Sequence, residues 1–177
     1  GGQLTQFKMF FNAYHACNSI LHLTPKDVAL VTLPLFHSFG QTCMMNASIL
    51  GGVGMTMLPR FETEKAMQVI ERDHVTVVAL VPTMYFFMLN TEKQFDYDLS
   101  SIRMAVSGGA ALPEETHRRF RERHGIVVLE GYGLSETSPI SSFTAADEEV
   151  RVGSIGKPIW GVEMRIKMDD RSFGGVN

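Results

Sequence analysis

The sequence has no run of 18 apolar residues and no basic start followed by an apolar stretch. The first absence predicts that these residues do not cross a membrane as a helix, and the second that they include no signal peptide. Cysteine is scarce as well, since Cys17 and Cys43 are the only two and lack the CxxC spacing of redox and zinc sites. Two cysteines cannot build a dense disulfide framework, so we expect both to be small buried residues in a reducing cytoplasm.

An excess of positive charge is also missing. The chain has 16 basic and 19 acidic residues, which gives a net charge of -3 at pH 7. A nucleic-acid-binding protein neutralises phosphates with cationic side chains, so this balance predicts no nucleic-acid partner and favours small-molecule ligands. The hydrophobic content of 45% in 177 residues excludes disorder and suits one globular domain or a large part of a bigger one.

Apolar residues follow two alternating periods along the chain. Helical spacing occurs in segments 4–23, 39–50, 63–73, 83–90 and 113–124. Short apolar runs typical of buried strands occur in segments 28–33, 53–58, 75–81, 102–107, 126–129 and 162–167. Strands that alternate with helices in this way predict an α/β fold with a mostly parallel sheet and helices on both faces.

Ligands of open parallel sheets bind beyond the carboxyl ends of the strands. Four segments directly follow predicted strands and should therefore meet at one edge, namely 34–40, 82–83, 108–111 and 130–137. In the last segment, glycines on either side of Tyr132 would let the backbone approach a flat ligand that stacks on the ring. Ser135 adds a hydroxyl and Glu136 a carboxylate suited to Mg²⁺. The alternative is a glycine-containing turn with a packed tyrosine and a solvated glutamate.

Four motifs extend this observation, in the order Leu-Pro-Leu-Phe-His (33–37), Ser-Gly-Gly-Ala (107–110), Glu-Gly-Tyr-Gly-Leu-Ser-Glu-Thr (130–137) and Val-Gly-Ser-Ile-Gly-Lys-Pro (152–158). Together they strongly resemble the adenylate-forming, or AMP-binding, superfamily of acyl-CoA synthetases, aryl-CoA ligases, luciferases and peptide-synthetase adenylation domains. The match runs over nearly the whole chain, which looks like an internal fragment of the large N-terminal domain. The resemblance implies a flavodoxin-like core layer in residues 1–150 and the start of a β-rich subdomain in residues 151–177.

The resemblance also implies an ATP-dependent reaction in two steps. A carboxylate, here a fatty acid, attacks the α-phosphate of ATP to form an acyl-adenylate, and the thiol of CoA then displaces AMP. The alternatives within the family are aryl or short-chain acyl-CoA ligases and peptide-synthetase adenylation domains. From another class, a non-catalytic nucleotide-binding module stays open, although the Gly-rich loop expected after its first strand is missing.

The family pattern assigns roles to single residues. Tyr132 is implied to stack on adenine, Ser135 to approach the AMP phosphate where threonine is commoner, and Glu136 to bind Mg²⁺, with Ser135 and Glu136 as the catalytic residues. The other implied nucleotide contacts are Gly108, Gly109, Ala110, Ala111, Glu130, Gly131, Gly133 and Leu134.

A second implied group lies at the acyl pocket and the thiol tunnel. His37 matches the position at the mouth of the pocket, and Val81, Pro82 and Thr83 are candidate lining residues. Each has an alternative, because His37 could be satisfied by a backbone partner at a strand end and Pro82 could simply end a strand. The arginines at 118, 119, 121 and 123 are interpreted as a solvated helix face rather than a docking site for CoA phosphates.

Several family elements are missing from these 177 residues. They are the phosphate loop ending in Pro-Lys-Gly, the Thr-Gly-Asp ribose motif and the C-terminal domain with its adenylation lysine. The chain also starts with glycine instead of methionine, so we expect it to be part of a longer protein. We expect the 177 residues alone to fold but to show negligible pyrophosphate exchange, and peripheral membrane contact could come only from regions outside them.

Overall fold

The computed structural model describes residues 2–93, 95–145, 149–168 and 173–174. Its main sheet has seven strands in the order β2-β1-β3-β4-β5-β6-β7. These are β1 Val28–Val31, β2 Gly54–Met57, β3 Val77–Leu80, β4 Met104–Ser107, β5 Val128–Gly133, β6 Ile140–Phe143 and β7 Lys157–Pro158. The first five strands are parallel to one another, whereas β6 and β7 are antiparallel to their neighbours. The predicted α/β fold with a mostly parallel sheet is confirmed.

The helices follow the predicted periodic segments. They are α1 Gln6–His15, α2 Ala47–Gly51, α3 Thr63–Arg72, α4 Pro82–Asn90 and α5 Glu114–His124. Two of them carry π-helical stretches: Ala16–Ile20 continues α1, and Phe39–Asn46 leads into α2. Such stretches are rare and are frequently found at functional sites. Across the described residues, no helix combines the length and apolar character needed to cross a membrane.

The central strands β3 and β4 are buried on both faces because helices cover each side of the sheet. Ala29 and Val31 of β1 belong to a core shared with the first π-helical stretch and the segment leading into α2. Leu30, which points the other way, joins a second core built with α3, α4 and α5. In that second core the rings of Tyr85 and Phe120 meet edge to face, with 5.0 Å between their centroids.

The largest departure from the predicted pattern concerns β5 and β6. We expected the strand to end at residue 129, but β5 continues through Gly133 because β6 pairs with it antiparallel, with Tyr132 opposite Ser142. The segment predicted as a strand at 162–167 is one only at Ile166–Lys167 (β8), which pairs with Phe173–Gly174 (β9) in a separate sheet. Of the predicted β-rich segment 151–177, residues 169–172 and 175–177 lie outside the described part.

The two cysteines behave as predicted from their scarcity. Both are buried and unpaired. Burial raises the pKa of the Cys17 thiol above its ordinary value and that of Cys43 to about 12. Neither is therefore poised to react as a thiolate at neutral pH.

A buried carboxylate joins three segments at the amino ends of the strands. Asp27, whose side chain is 4% exposed, accepts hydrogen bonds from Arg103 Nε and Nη2, both at 2.7 Å. Thr76 Oγ1 also donates to Asp27 at 2.7 Å, as does the backbone N–H of Thr24 at 2.8 Å. The remaining Arg103 N–H groups reach the carbonyl of Leu21 at 3.2 Å. The segment preceding β1 is thus fixed to the starts of β3 and β4.

This network predicts a loss of stability in acid. Burial alone would raise the pKa of Asp27, but the hydrogen bonds from Arg103, Thr76 and Thr24 outweigh it and hold the pKa well below its ordinary value. The unfolded chain then binds more protons than the folded one, so this stabilisation is complete above about pH 4 and is lost as the pH falls towards the folded-state pKa. Urea titrations at a series of pH values should give a steeper acid loss of unfolding free energy for the parent than for Asp27→Asn. Parallel pH profiles would contradict the assignment.

Candidate functional site

A cavity of about 320 Å³ opens at the carboxyl edge of the parallel strands. Three of the four predicted segments meet there, represented by His37, Gly108 and Tyr132. The volume lies within the range of small-molecule sites. Its lining consists of Ala16, Ile20, Leu21, His37, Ser38, Phe39, Cys43, Met44, Ala79, Val106, Ser107, Gly108, Gly109, Gly131, Tyr132, Gly133, Leu134, Ser135, Glu136, Pro139, Ile140 and Phe143.

The polar end of this cavity is formed by the end of β5 and the turn after it. Tyr132 lines the cavity and is 41% exposed, so part of its side chain is accessible to a ligand. The short 3-10 turn Ser135–Thr137 follows, and the Ser135 hydroxyl lies 3.3 Å from that of Ser38. Glu136 is exposed, and Gly2 packs against it, since a Cβ placed on Gly2 would lie 3.3 Å from Glu136 Cγ.

We predicted that the two glycines beside Tyr132 make room for a ligand. The structure shows that neighbouring residues of the protein itself leave no space for a Cβ at either position. A Cβ at Gly131 would lie 2.3 Å from the ring of Phe143, and a Cβ at Gly133 would lie 2.2 Å from the carbonyl oxygen of Pro139. Real Cβ atoms essentially never come so close to other heavy atoms. Both glycines line the cavity, but β6 requires them even without a ligand.

The predicted wall 108–111 divides into two parts. Gly108 and Gly109 line the cavity, and a Cβ at Gly108 would lie 3.1 Å from the Phe39 ring. Gly109 has a φ of +82°, a backbone conformation that favours glycine. Ala110 and Ala111 are exposed and are not among the lining residues.

Glu130 is not a lining residue either. It is 7% exposed, and its carboxylate accepts hydrogen bonds from the backbone N–H groups of Leu112 at 3.1 Å and Gly153 at 3.3 Å. Both carboxylate oxygens thus face backbone donors of the protein, and a contact between Glu130 and a nucleotide stays a prediction.

The segment 81–83 also lies beside the cavity and not in its lining. Pro82 is the buried first residue of α4, and Thr83 is exposed. Val81 supports the wall indirectly, since its Cγ1 would lie 3.7 Å from a Cβ at Gly109. The geometry favours the alternative interpretation, in which Pro82 ends the preceding strand segment and begins the helix.

His37 combines both interpretations offered for it. It is exposed at the cavity, and its Nδ1 accepts a hydrogen bond from the backbone N–H of Phe39 at 3.2 Å. This bond leaves Nε2 to carry the proton of the neutral ring and to face a ligand. The backbone partner therefore fixes the orientation of the ring at the mouth of the cavity.

The apolar end of the cavity was missed by sequence reasoning. Ala16, Ile20 and Leu21 come from the first π-helical stretch and its end, and Cys43 and Met44 come from the second. The helical periodicity indicated buried positions there, but a 3.6-residue period does not show which of them a wider turn exposes to a cavity.

Charge is sparse in this lining. Among the described residues that line the cavity, no lysine or arginine occurs, and Glu136 is the single carboxylate. The part of the chain that is described also contains no cluster of three His, Cys, Asp or Glu side chains able to hold a metal. A single exposed carboxylate fits Mg²⁺, which keeps several waters and is commonly bound together with substrate phosphates.

The arginines of α5 lie apart from the cavity. Arg118 forms ion pairs with Glu115 and Glu122, each at 2.7 Å. Arg123 donates to the carbonyl of Leu89 at 2.8 Å and lies over the ring of Phe95. Arg118 fits the predicted solvated face, whereas Arg123 is partly buried against α4 and Phe95.

A mostly parallel sheet with a cavity beyond the carboxyl ends of its strands is typical of an α/β ligand-binding domain. The chain belongs to the family described as AMP-binding enzyme, whose model matches residues 1–174. It is 39% identical over 132 residues to a long-chain-fatty-acid–CoA ligase of Bacillus subtilis, covering 75% of this chain and 24% of that protein. It is 32% identical over 161 residues to 4-coumarate-CoA ligase 1 of Narcissus pseudonarcissus, covering 88% of this chain and 29% of that protein.

Solved structures show the same fold. The crystal structure of ATP-bound MatB from Rhodopseudomonas palustris superimposes with a TM-score of 0.90 at 27% identity, covering 99% of this chain and 34% of that one. The chain thus spans a quarter to a third of the length of the proteins it resembles.

Proposed function

We propose that this chain supplies the adenine-binding and acyl-binding surfaces of an ATP-dependent, AMP-forming acyl-CoA synthetase. The single observation that carries the proposal is the composition of the cavity. Its lining combines an exposed tyrosine, two hydroxyls and a carboxylate with a set of aliphatic and sulfur-containing side chains. Such a cavity can hold an acyl-adenylate, which has a polar nucleotide at one end and an apolar chain at the other.

In the first step, the carboxylate substrate attacks the α-phosphate of ATP and pyrophosphate leaves. Tyr132 stacks on adenine, and the Ser135 hydroxyl donates to the phosphate. Glu136 would hold Mg²⁺, which when bound would supply positive charge to the phosphate oxygens. The chain thus contributes mainly positioning, which converts a bimolecular encounter into a reaction between oriented groups.

In the second step, the thiol of CoA attacks the acyl carbonyl and AMP leaves. His37 is oriented at the mouth of the cavity by Phe39 N–H, with Nε2 directed away from that bond. A thiol entering past His37 would meet the carbonyl at the boundary between the two ends of the cavity. The substrates are a small carboxylic acid, ATP and CoA, and a cytoplasmic location fits two buried cysteines without a disulfide.

The apolar end favours a substrate without a second charge. No lysine or arginine lines the described cavity, so a distal carboxylate among its apolar residues would be buried without an ion-pair partner, which is unfavourable. We therefore infer a monocarboxylic acid with an apolar body. A fatty acid is the first choice, in keeping with the Bacillus subtilis relative, and an aryl-substituted acid like that named for the Narcissus relative is the alternative.

The proposal is tested in the longer protein that carries this chain by carboxylate-dependent exchange of pyrophosphate into ATP. Tyr132→Ala and Glu136→Ala should each lower the exchange rate about ten- to a hundredfold, because stacking and metal binding are each lost. Glu122→Gln, an exposed change on α5 away from the cavity, is the control and should leave the rate unchanged. Parent-level exchange in both site variants would refute the assignment.

A further inference from the structure

Glu130 connects three segments around the cavity, although it does not line it. Glu130 belongs to β5, where it pairs with Ser107 of β4. One oxygen accepts from Leu112 N–H at 3.1 Å, and the other accepts from Gly153 N–H at 3.3 Å. We call these two hydrogen bonds the Glu130 bridge.

The bridge joins two of the segments that form the adenine slot of the proposed function, β5 and the loop after β4. Side chains two residues apart in a strand share a face, so Glu130 projects on the same face of β5 as Tyr132. Leu112 follows the wall residues Gly108 and Gly109 by a few positions, and the bond to its N–H holds that loop against β5. One carboxylate on β5 thus holds the loop that carries the glycine wall to the strand that carries Tyr132.

A carboxylate suits this place because both partners are N–H donors. An ionised carboxyl group only accepts, so each oxygen can serve one donor. Glutamine would serve one of them and turn its own NH₂ group towards the other. Since the side chain is 7% exposed, water cannot readily take over the missing partner.

We propose that Glu130 is a positioning residue that fixes the width of the adenine slot by tying the 108–112 loop to β5 without touching the nucleotide. This inference rests on the proposed function for the identity of the ligand. The bridge itself is testable without it.

The first experiment measures backbone hydrogen exchange in the 177-residue chain. Glu130→Ala should raise the exchange rates of the Leu112 and Gly153 amides about tenfold, since each loses a hydrogen bond to a charged acceptor. Ser142→Ala is the matched control. It removes a different buried bond to the same neighbourhood, from Ser142 Oγ to the Ile155 carbonyl at 2.9 Å, and should leave Leu112 exchange unchanged.

The second experiment measures steady-state kinetics of the longer protein. Glu130→Ala should raise the KM for ATP about tenfold while the KM for the carboxylate stays within about twofold. Glu130→Gln should fall between parent and alanine variant, because it retains one of the two bonds. Ser142→Ala should leave both KM values at the parent level.

The outcomes separate the two ideas. Unchanged Leu112 exchange in Glu130→Ala overturns the bridge, and raised exchange with an unchanged KM for ATP overturns its role in the slot. Equal increases in the KM for ATP and for the carboxylate also overturn it, because they indicate general disruption. If the parent itself shows no carboxylate-dependent exchange of pyrophosphate, the proposed function fails, and Leu112 exchange alone then decides whether the bridge exists.

Discussion

Replacing Asp27 with alanine should lower the free energy of unfolding of the chain by about 3 kcal/mol. Removing one member of a buried ion pair leaves the other charge without compensation, which typically costs about 3–5 kcal/mol. We expect the lower end of that range because the Arg103 side chain is 38% exposed and can recover part of its hydration. Thr76 and Thr24 also lose their acceptor. Urea unfolding followed by circular dichroism measures the loss.

The matched control is Asp73→Ala. Asp73 also forms a two-contact pair with an arginine, Arg72, at 2.6 and 2.7 Å, and it also accepts from a threonine hydroxyl. The difference is that the Arg72–Asp73 pair lies at the surface, where water replaces the lost partner. A loss for Asp73→Ala as large as that for Asp27→Ala would contradict the argument from burial.

The fold could be predicted from sequence because its central strands are buried on both faces. Runs such as 28–33 and 75–81 cannot be placed at a surface, so they had to lie inside a helix-covered sheet. The carboxyl ends of parallel strands share an edge, and this rule predicts the shared cavity of His37, Gly108 and Tyr132 that the structure shows.

The pairing of β6 could not be predicted in the same way. Its sequence, Ile140–Phe143, has two serines between two apolar residues and follows a proline, which gives only a weak strand pattern. Without β6, the glycines at 131 and 133 were interpreted as a means of approach for a ligand. In the structure, the ring of Phe143 and the carbonyl of Pro139 lie too close to these two positions for any residue larger than glycine.

Glu130 illustrates a second limit of the sequence. Its position within the family motif suggested a nucleotide contact, but a motif does not show which hydrogen-bond partners a side chain has in the folded protein. Its partners, the amides of Leu112 and Gly153, lie 18 residues before it and 23 after it. Such bonds depend on the course of two loops, which no local pattern of apolar and polar residues determines.

Gly133→Ala should destabilise the chain by about 3 kcal/mol and disturb the site at the same time. A methyl group at this position would lie 2.2 Å from the Pro139 carbonyl oxygen and 2.8 Å from its carbon, both backbone atoms that cannot rotate away. The strands β5 and β6 must then separate where Gly133 pairs with Ile140, and the bond from Leu134 N–H to the Pro139 carbonyl is lost with them. Overpacking and one lost hydrogen bond together account for the estimate. Chemical unfolding of the variant measures it.

Gly54→Ala provides the matched control for this change. Gly54 also lies in a strand, but a Cβ there would meet its nearest neighbour, the Asp27 carbonyl oxygen, at an ordinary 3.6 Å. Alanine at this position restricts the unfolded chain without strain in the folded one, so the unfolding free energy should stay the same or rise by up to about 1 kcal/mol. Equal losses of unfolding free energy in the two variants would show that replacing glycine in any strand destabilises the chain. The contact between β5 and β6 would then not explain why residue 133 is glycine.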